Sequence, residues 1–343
     1  MNIVILADLP SIHTKVWIKY LTEKCHDVSV ITFRPDIDHK GQYDYFDLHP
    51  FGKLKYLIYA PEIRMTVKEK NPDLVMGFFL TSYGFLAAFT GAKPLVLWGQ
   101  GSDVLIGSKK FLLRQFVKFA IKRANLVICD NFNSAEKLEN LGYPKEKMIT
   151  MSYGIDIDLF NPGPQEKGLV ISTRNLNPIY NVKLFIQAAL LNYYGTFNAH
   201  FSIVGDGSQR RPLEKMVKEL GNTIKFHGYV EQSKLARLLR KAEVFVSIPF
   251  SDAGGLSVQE AMASGVFPIL SDIPINAALV EDGVNGFLVP TDNIAILANR
   301  IVEALKDKKL RQQANSYNVS YARKHFSQKI NMDKIYKRIM EIM

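Results

Sequence analysis

The chain has 343 residues, 47% of them hydrophobic and 22% charged, and carries a formal net charge of +10. That length points to two domains of ordinary size, and that balance excludes a disordered chain. The two cysteines, Cys25 and Cys129, make no disulfide framework, so a reducing compartment is expected, with Cys129 a buried small hydrophobe.

Met1 leads straight into the strand-like run NIVILAD, without a basic prefix or cleavage site, so no secretory leader is expected. Further strands read at DVSVITF, DLVMGFF, PLVLW, NLVICD and MITMSY. Residues 74–92 are uncharged and approach the about 20 residues that span a bilayer. The break TSYG divides them, and they read as a strand from Leu74 to Phe79 followed by a buried helix. Between PLVLW and NLVICD, Lys110, Arg114, Lys118 and Lys122 recur every four residues as one helical stripe, with Lys109 and Arg123 beside it. No acid lies between Asp103 and Asp130, and Phe111, Leu112, Phe116, Phe119 and Ile121 exceed what one core face needs. Two readings stand: a basic solvent face, or a helix lying on an anionic membrane.

FNPGPQEKG, Phe160 to Gly168, reads as a linker. After it come strands at GLVIST, HFSIVG, TIKFHG, VFVSIPF, VFPILSD and GFLVP. Apolar strands separated by helix-length amphipathic segments imply parallel sheets covered on both faces. The expected fold is therefore α/β, two Rossmann-like doubly wound domains, with ligands bound beyond the carboxyl ends of the strands. From Lys306 to Met343, ten Lys or Arg stand against three acids. Such a basic surface suits nucleic acid, anionic lipid or a phosphate-bearing substrate, and composition does not choose among them.

The segment SDAGGLSVQEAMASGVFPILSD, 251–272, sets Asp252 and Glu260 eight positions apart around a loop that follows a strand. Gly254 and Gly255 let backbone amides approach a ligand, and the helix that follows offers free N–H groups to an anion. Ser257 and Glu260 equally fit a capping box, and Asp252 a turn acid, neither of which needs a ligand.

In combination the segment resembles the E-x7-E motif of retaining GT-B glycosyltransferases, the large family four. The stretches SIHTKVWIKYLTEKCHDVSVITF, GSDV, YGIDIDLFNP, IVGDGSQRRPLE, FHGYV and VEDGVNGFLVP match that family in order and spacing across the chain. The resemblance implies a GT-B fold: an acceptor-side domain over 1–163, a nucleotide-sugar domain over 164–325, and a helix over 326–343 crossing back to the first. It implies a retaining hexosyltransferase of cell-surface glycan biosynthesis. The co-substrate would be a nucleotide-diphosphate sugar, a UDP-sugar first and a GDP-sugar as the alternative. No resident cofactor or metal is implied.

Glu260 would take the ribose hydroxyls, Asp252 hydroxyls of the transferred sugar, and the amides of Gly255, Leu256 and Ser257 the sugar and diphosphate. Val230, in FHGYV, would lie along the base. The family's diphosphate-clamping Arg and Lys are displaced here: Asn175 and Tyr180 take their positions, Arg174 stands one place early and Lys183 three late. Arg174 is the phosphate candidate and Lys183 the second, because a guanidinium pairs bidentately with phosphate. Gln100 replaces the family's histidine, and His13 survives in the first loop, so both join Asp252 and Arg174 as catalytic candidates.

The implied partners are a nucleotide sugar, a glycan or lipid-linked acceptor and an anionic membrane surface, with no nucleic acid. The implied place is the cytoplasm, peripheral to the inner face of the membrane. The alternatives are a hydrolysing nucleotide-sugar epimerase on the same fold, or a degenerate nucleotide-sugar-binding protein. No C-x-x-C, H-E-x-x-H, Walker loop, G-x-S-x-G or G-x-G-x-x-G is present.

Overall fold

In the computed structural model, which describes all residues except 37–40, 47–54, 106–110, 194–198, 220, 222–223 and 253–254, the apolar runs become strands of two parallel sheets. The first holds β1 (Asn2–Leu6), β2 (Asp27–Thr32), β3 (Gln42–Tyr45), β4 (Leu74–Phe78), β5 (Leu95–Gly99), β6 (Leu126–Cys129) and β7 (Met148–Thr150). The second holds β8 (Leu169–Ser172), β9 (His200–Ile203), β10 (Ile224–Phe226), β11 (Val244–Ser247), β12 (Phe267–Ser271) and β13 (Phe287–Val289).

Their orders are β3-β2-β1-β4-β5-β6-β7 and β10-β9-β8-β11-β12-β13. Each sheet grows outward in one direction and then restarts beside its first strand, as doubly wound folds do. The restart lies between β1 and β4 in the first sheet and between β8 and β11 in the second, where Val170 pairs with Val244. Loops diverge at such a point and leave room for a ligand. The expected α/β, two-sheet GT-B architecture is borne out. Strand β3 escaped sequence reading because QYDY alternates aromatic and polar residues at a sheet edge, without the apolar run that marks the central strands.

Residues 74–92 resolve as expected into β4 and the helix Tyr83–Thr90, both buried in the first core. Among the described residues no helix is long and apolar enough to cross a membrane.

The chain divides into one unit of Met1–Ser152 with Met332–Met343, and a second of Tyr153–Asn331. The division precedes the proline-rich segment because the residues between belong to the second core. Ile155 bridges Ser327, Phe160 is 2% exposed, and Arg240 donates to the carbonyls of Leu159 and Asn161. Met332–Met343 join the first unit through side chains: Tyr20 donates to Asp333 at 2.6 Å, Lys24 pairs with Asp333 at 2.9 Å, and Tyr336 meets His26 at 2.7 Å. Not every cation of the basic tail is surface charge. Arg311 is buried, pairs with Glu243 at 2.6 Å and donates to the Leu305 carbonyl.

Candidate functional site

Strand β8 delivers Arg174 just past its carboxyl end, and β11, its neighbour across the restart, delivers Asp252. Arg174 is only 6% exposed. One guanidinium nitrogen pairs with Asp252 at 2.8 Å, another donates to the hydroxyl of Ser257, and the group lies over the Tyr180 ring, 4.3 Å from its centroid. A cation this buried needs such partners, because stripping its water costs several kcal/mol otherwise (on the order of the penalty for a buried ion).

The loop holding Arg174 is clamped by the IVGDGS segment after β9. The amide of Leu176 donates to the Asp206 carbonyl at 2.9 Å, and that of Gln209 to the Leu176 carbonyl at 2.8 Å. Gly205 has φ +141, and a Cβ there would come within 2.3 Å of the Arg174 carbonyl oxygen. Gly205 also donates to the Gly228 carbonyl at 2.9 Å, which ties in the FHGYV turn. Val230, in that turn, is half-buried against the second unit's core.

The helix Leu256–Ala263 starts after Gly255, whose φ of 56 is left-handed, and no side chain caps it. The capping-box alternative for Ser257 and Glu260 is therefore not realised. The Ser257 hydroxyl is engaged by Arg174, and Glu260 lies a full turn inside the helix, buried at 7% exposure. Burial pushes the Glu260 carboxyl up to about 8, opposed by a hydrogen bond with Gln232 and the charge of Arg174. Arg174, Asp252, Ser257 and Glu260 thus form one cluster, with Leu256 half-buried beside it.

Lys183 is exposed on the first turn of the helix Val182–Tyr193 and makes none of these contacts. Gly254 and Lys110 lie outside the described residues. Gln232 and the stacking role of Tyr180 were not read from the sequence. No motif marks Gln232, and Tyr180 could be noted only as a departure at a family lysine position.

His13 and Gln100 belong to the first unit, His13 on the first turn of the helix Ile12–Glu23 that follows β1 and Gln100 directly after β5. His13 stands edge-on to Trp98, ring centroids 5.6 Å apart, and burial lowers it to about 4, so it is neutral at pH 7. Trp98 donates to Asp130 at 2.8 Å, and burial raises that carboxyl to about 7. Asp103, in GSDV, is buried and accepts the Leu80 amide at 2.6 Å, pinning the loop after β4 to the short helix Ser102–Leu105 that follows β5. Burial raises it to about 6 against the backbone amides around it. An acid directly after a parallel apolar strand was the available signal for Asp130. Among the described residues no group of three His, Cys, Asp or Glu side chains is arranged to hold a metal.

Comparison with known proteins finds relatives across the chain. A family model described as glycosyl transferases group 1 matches residues 156–320, and one described as glycosyl transferase 4-like matches residues 2–131. An uncharacterized glycosyltransferase of Methanocaldococcus jannaschii is 25% identical over 303 residues, 86% of this chain and 84% of that protein. The N,N'-diacetylbacillosaminyl-diphospho-undecaprenol alpha-1,3-N-acetylgalactosaminyltransferase of Campylobacter jejuni is 26% identical, over 77% of this chain and 75% of its own. Among solved structures, HepE of Anabaena in complex with UDP and glucose aligns with a TM-score of 0.82 at 20% identity, covering 99% of each chain.

Proposed function

The chain belongs to the group 1 glycosyltransferases, and from that membership we propose that it moves a sugar from a UDP-sugar to a lipid-linked glycan with retention of configuration. The observation that carries this reading is Arg174, a buried cation at the restart of the second sheet, held between Asp252 and Ser257 before an uncapped helix. A diphosphate needs such a group as it leaves: negative charge grows on its oxygens, and a guanidinium with helix amides stabilises that charge best in a water-poor site. The bond from the anomeric carbon to the diphosphate breaks as the bond to the acceptor oxygen forms on the same face. The acceptor proton passes to the departing phosphate oxygen.

Asp252 accepts hydroxyls of the transferred sugar, and Glu260 accepts the ribose hydroxyls. Ribose hydrogen bonds would favour the ionised carboxylate, lowering a value that burial has raised. In the first unit, neutral His13 and Gln100 would orient the acceptor hydroxyl. The UDP and lipid-linked parts of the reading draw support from the UDP complex of HepE and from the undecaprenyl-linked substrate named for the Campylobacter relative.

The test is a thermal-shift screen of UDP- and GDP-sugars, since a ligand of the native state raises apparent stability by mass action. It is followed by nucleotide-release assays with and without a polyprenyl-diphosphate glycan. Release that needs the acceptor supports the reading. Release without it would identify a hydrolysing epimerase, and no shift with any nucleotide sugar would leave a degenerate site.

A further inference from the structure

The helix Leu256–Ala263 has two ends, and only its start belongs to the Arg174 cluster. Its far end, eight residues and about 12 Å along the axis, lies at Ser264 and Gly265, just before β12. Backbone groups alone close that end. Gly265, with φ of 70, donates to the Met262 carbonyl at 3.1 Å, and Val266 donates to that of Ala261 at 3.0 Å. The Ser264 side chain takes no part: the residue is 1% exposed, yet its hydroxyl has no hydrogen-bond partner. Buried polar groups are nearly always paired, so an orphaned hydroxyl calls for an explanation.

Ser264 lines a groove of about 540 Å³ in the second unit, between residues 162–165, this helix end and one face of the helix Lys308–His325. A second orphan lines the same groove: Asn315, whose Oδ1 is buried and unpartnered. Near them stand Ser316 and Ser320, both exposed, and Gln165, whose amide donates to the Gly265 carbonyl at 3.0 Å. Pro162 and Val319 supply the apolar strip; they flank Gly265 so closely that a Cβ there would meet them at 3.4 and 3.6 Å. Arg323, which is exposed, is the one charged residue lining the groove among those described.

We propose that this groove binds a sugar ring, apart from the donor site. Other ligand classes find less here. A hard cation would find no carboxylate. A phosphate would meet a single exposed guanidinium and the negative end of a helix dipole. An apolar ligand would strip water from hydroxyls and carboxamides that it cannot repay. A pyranose suits each group: one hydroxyl donates to Asn315 Oδ1, and another pairs with Ser264, which can both donate and accept. Its C–H face lies on Pro162 and Val319, and Arg323 donates to hydroxyls at the mouth. None of this depends on which nucleotide the donor site takes.

Saturation-transfer NMR on the full chain tests the site, using the methyl glycosides of glucose, galactose, N-acetylglucosamine and N-acetylgalactosamine at millimolar concentration, with and without UDP. At least one glycoside should receive saturation, and UDP should not displace it. For that glycoside the matching trisaccharide tells the source: equal affinity marks a free sugar, and a gain with length marks a residue of a glycan chain. Ser264→Ala should weaken binding about tenfold, the loss of one hydrogen bond. Its melting temperature should hold or rise, because no hydrogen bond of the free protein is lost. Ser320→Trp fills the groove from its exposed side and should abolish saturation; it decides the matter should Ser264→Ala fail to fold.

Four results would overturn the proposal. Saturation of none of the glycosides would leave the groove without a sugar. Displacement of every bound glycoside by UDP would put them in the donor site. A lowered melting temperature in Ser264→Ala with unchanged sugar binding would make the hydroxyl structural. Inorganic phosphate binding that is lost in Arg323→Gln, without glycoside binding, would make the groove an anion site.

Discussion

Replacing Arg174 by alanine removes one half of a buried ion pair. The side chains of Arg174 and Asp252 are 7% and 11% exposed, so the remaining carboxylate would face little water and no compensating charge. Breaking such a pair from one side costs about 3–5 kcal/mol. The second unit, Tyr153–Asn331, is of a size at which each kcal/mol moves the melting temperature by about 2–4 °C, so its transition should fall by about 6–20 °C. Removing both charges, as Arg174→Met with Asp252→Leu, should recover most of that loss, because an apolar pair of similar volume is often neutral. Differential scanning calorimetry reads the stabilities. Titration calorimetry on the folded fraction should find UDP weakened by about 1.5–3 kcal/mol in Arg174→Ala, with uridine barely changed. The reasoning fails if the single variant melts within a degree or two of the parent, or if the double variant melts no higher than the single one. Equal losses for UDP and uridine would mean that Arg174 does not meet phosphate.

Glu260 binds its proton more tightly in the folded chain, about 8, than the ordinary 4.5. Its contribution to stability is therefore complete below pH 4.5 and is lost as pH rises towards 8, by up to about 1.4 kcal/mol per unit. Glu260→Gln should flatten that part of the profile, read by urea unfolding at pH 5 and pH 8; an unchanged slope would refute it. Asp103 and Asp130, raised to about 6 and about 7, act in the same direction and supply the slope that remains. Gly205→Ala should lower both melting temperature and UDP affinity, because its Cβ strikes the Arg174 carbonyl. Gly142→Ala, where φ is also positive but nothing lies within 4 Å, should cost only the strain, about 1 kcal/mol. Asp103→Ala should destabilise the first unit by about 1–3 kcal/mol for the orphaned Leu80 amide, and Asp103→Asn by less. Equal losses for the two would show that the carboxyl does not hold the loop.

The central strands were legible because parallel sheets buried on both faces demand unbroken apolar runs, and β1, β4 and β11 show them plainly. The association of Arg174 with the Asp252 loop was legible only through motif order, since 77 intervening residues separate positions 174 and 252 with no periodic signal between them. What the sequence could not convey was occupancy. Arg174 reads as a cation awaiting phosphate, yet in the fold it already answers to Asp252, Ser257 and Tyr180. The same blindness applies to Glu260. A helix acid reads as a cap or a ligand, and only burial reveals a carboxyl that keeps its proton near neutral pH. Of the basic stripe, spacing predicted the alignment of Arg114, Lys118 and Lys122 but not that Lys118 is half-buried while Phe111 and Leu112 stand out.

The contribution of Met332–Met343 to the first unit has a consequence for how the chain leaves the ribosome. Residues 1–152 emerge first, but the partners of Tyr20, Lys24 and His26 are made only after the whole of Tyr153–Asn331. At about 5–20 residues per second, that interval lasts on the order of ten to forty seconds. Throughout it the amino-terminal unit is a nascent domain with one surface unfinished, open to chaperones and proteases. Its closure awaits the synthesis of Met332–Met343, so the two units mature together even though their sheets can form one after the other.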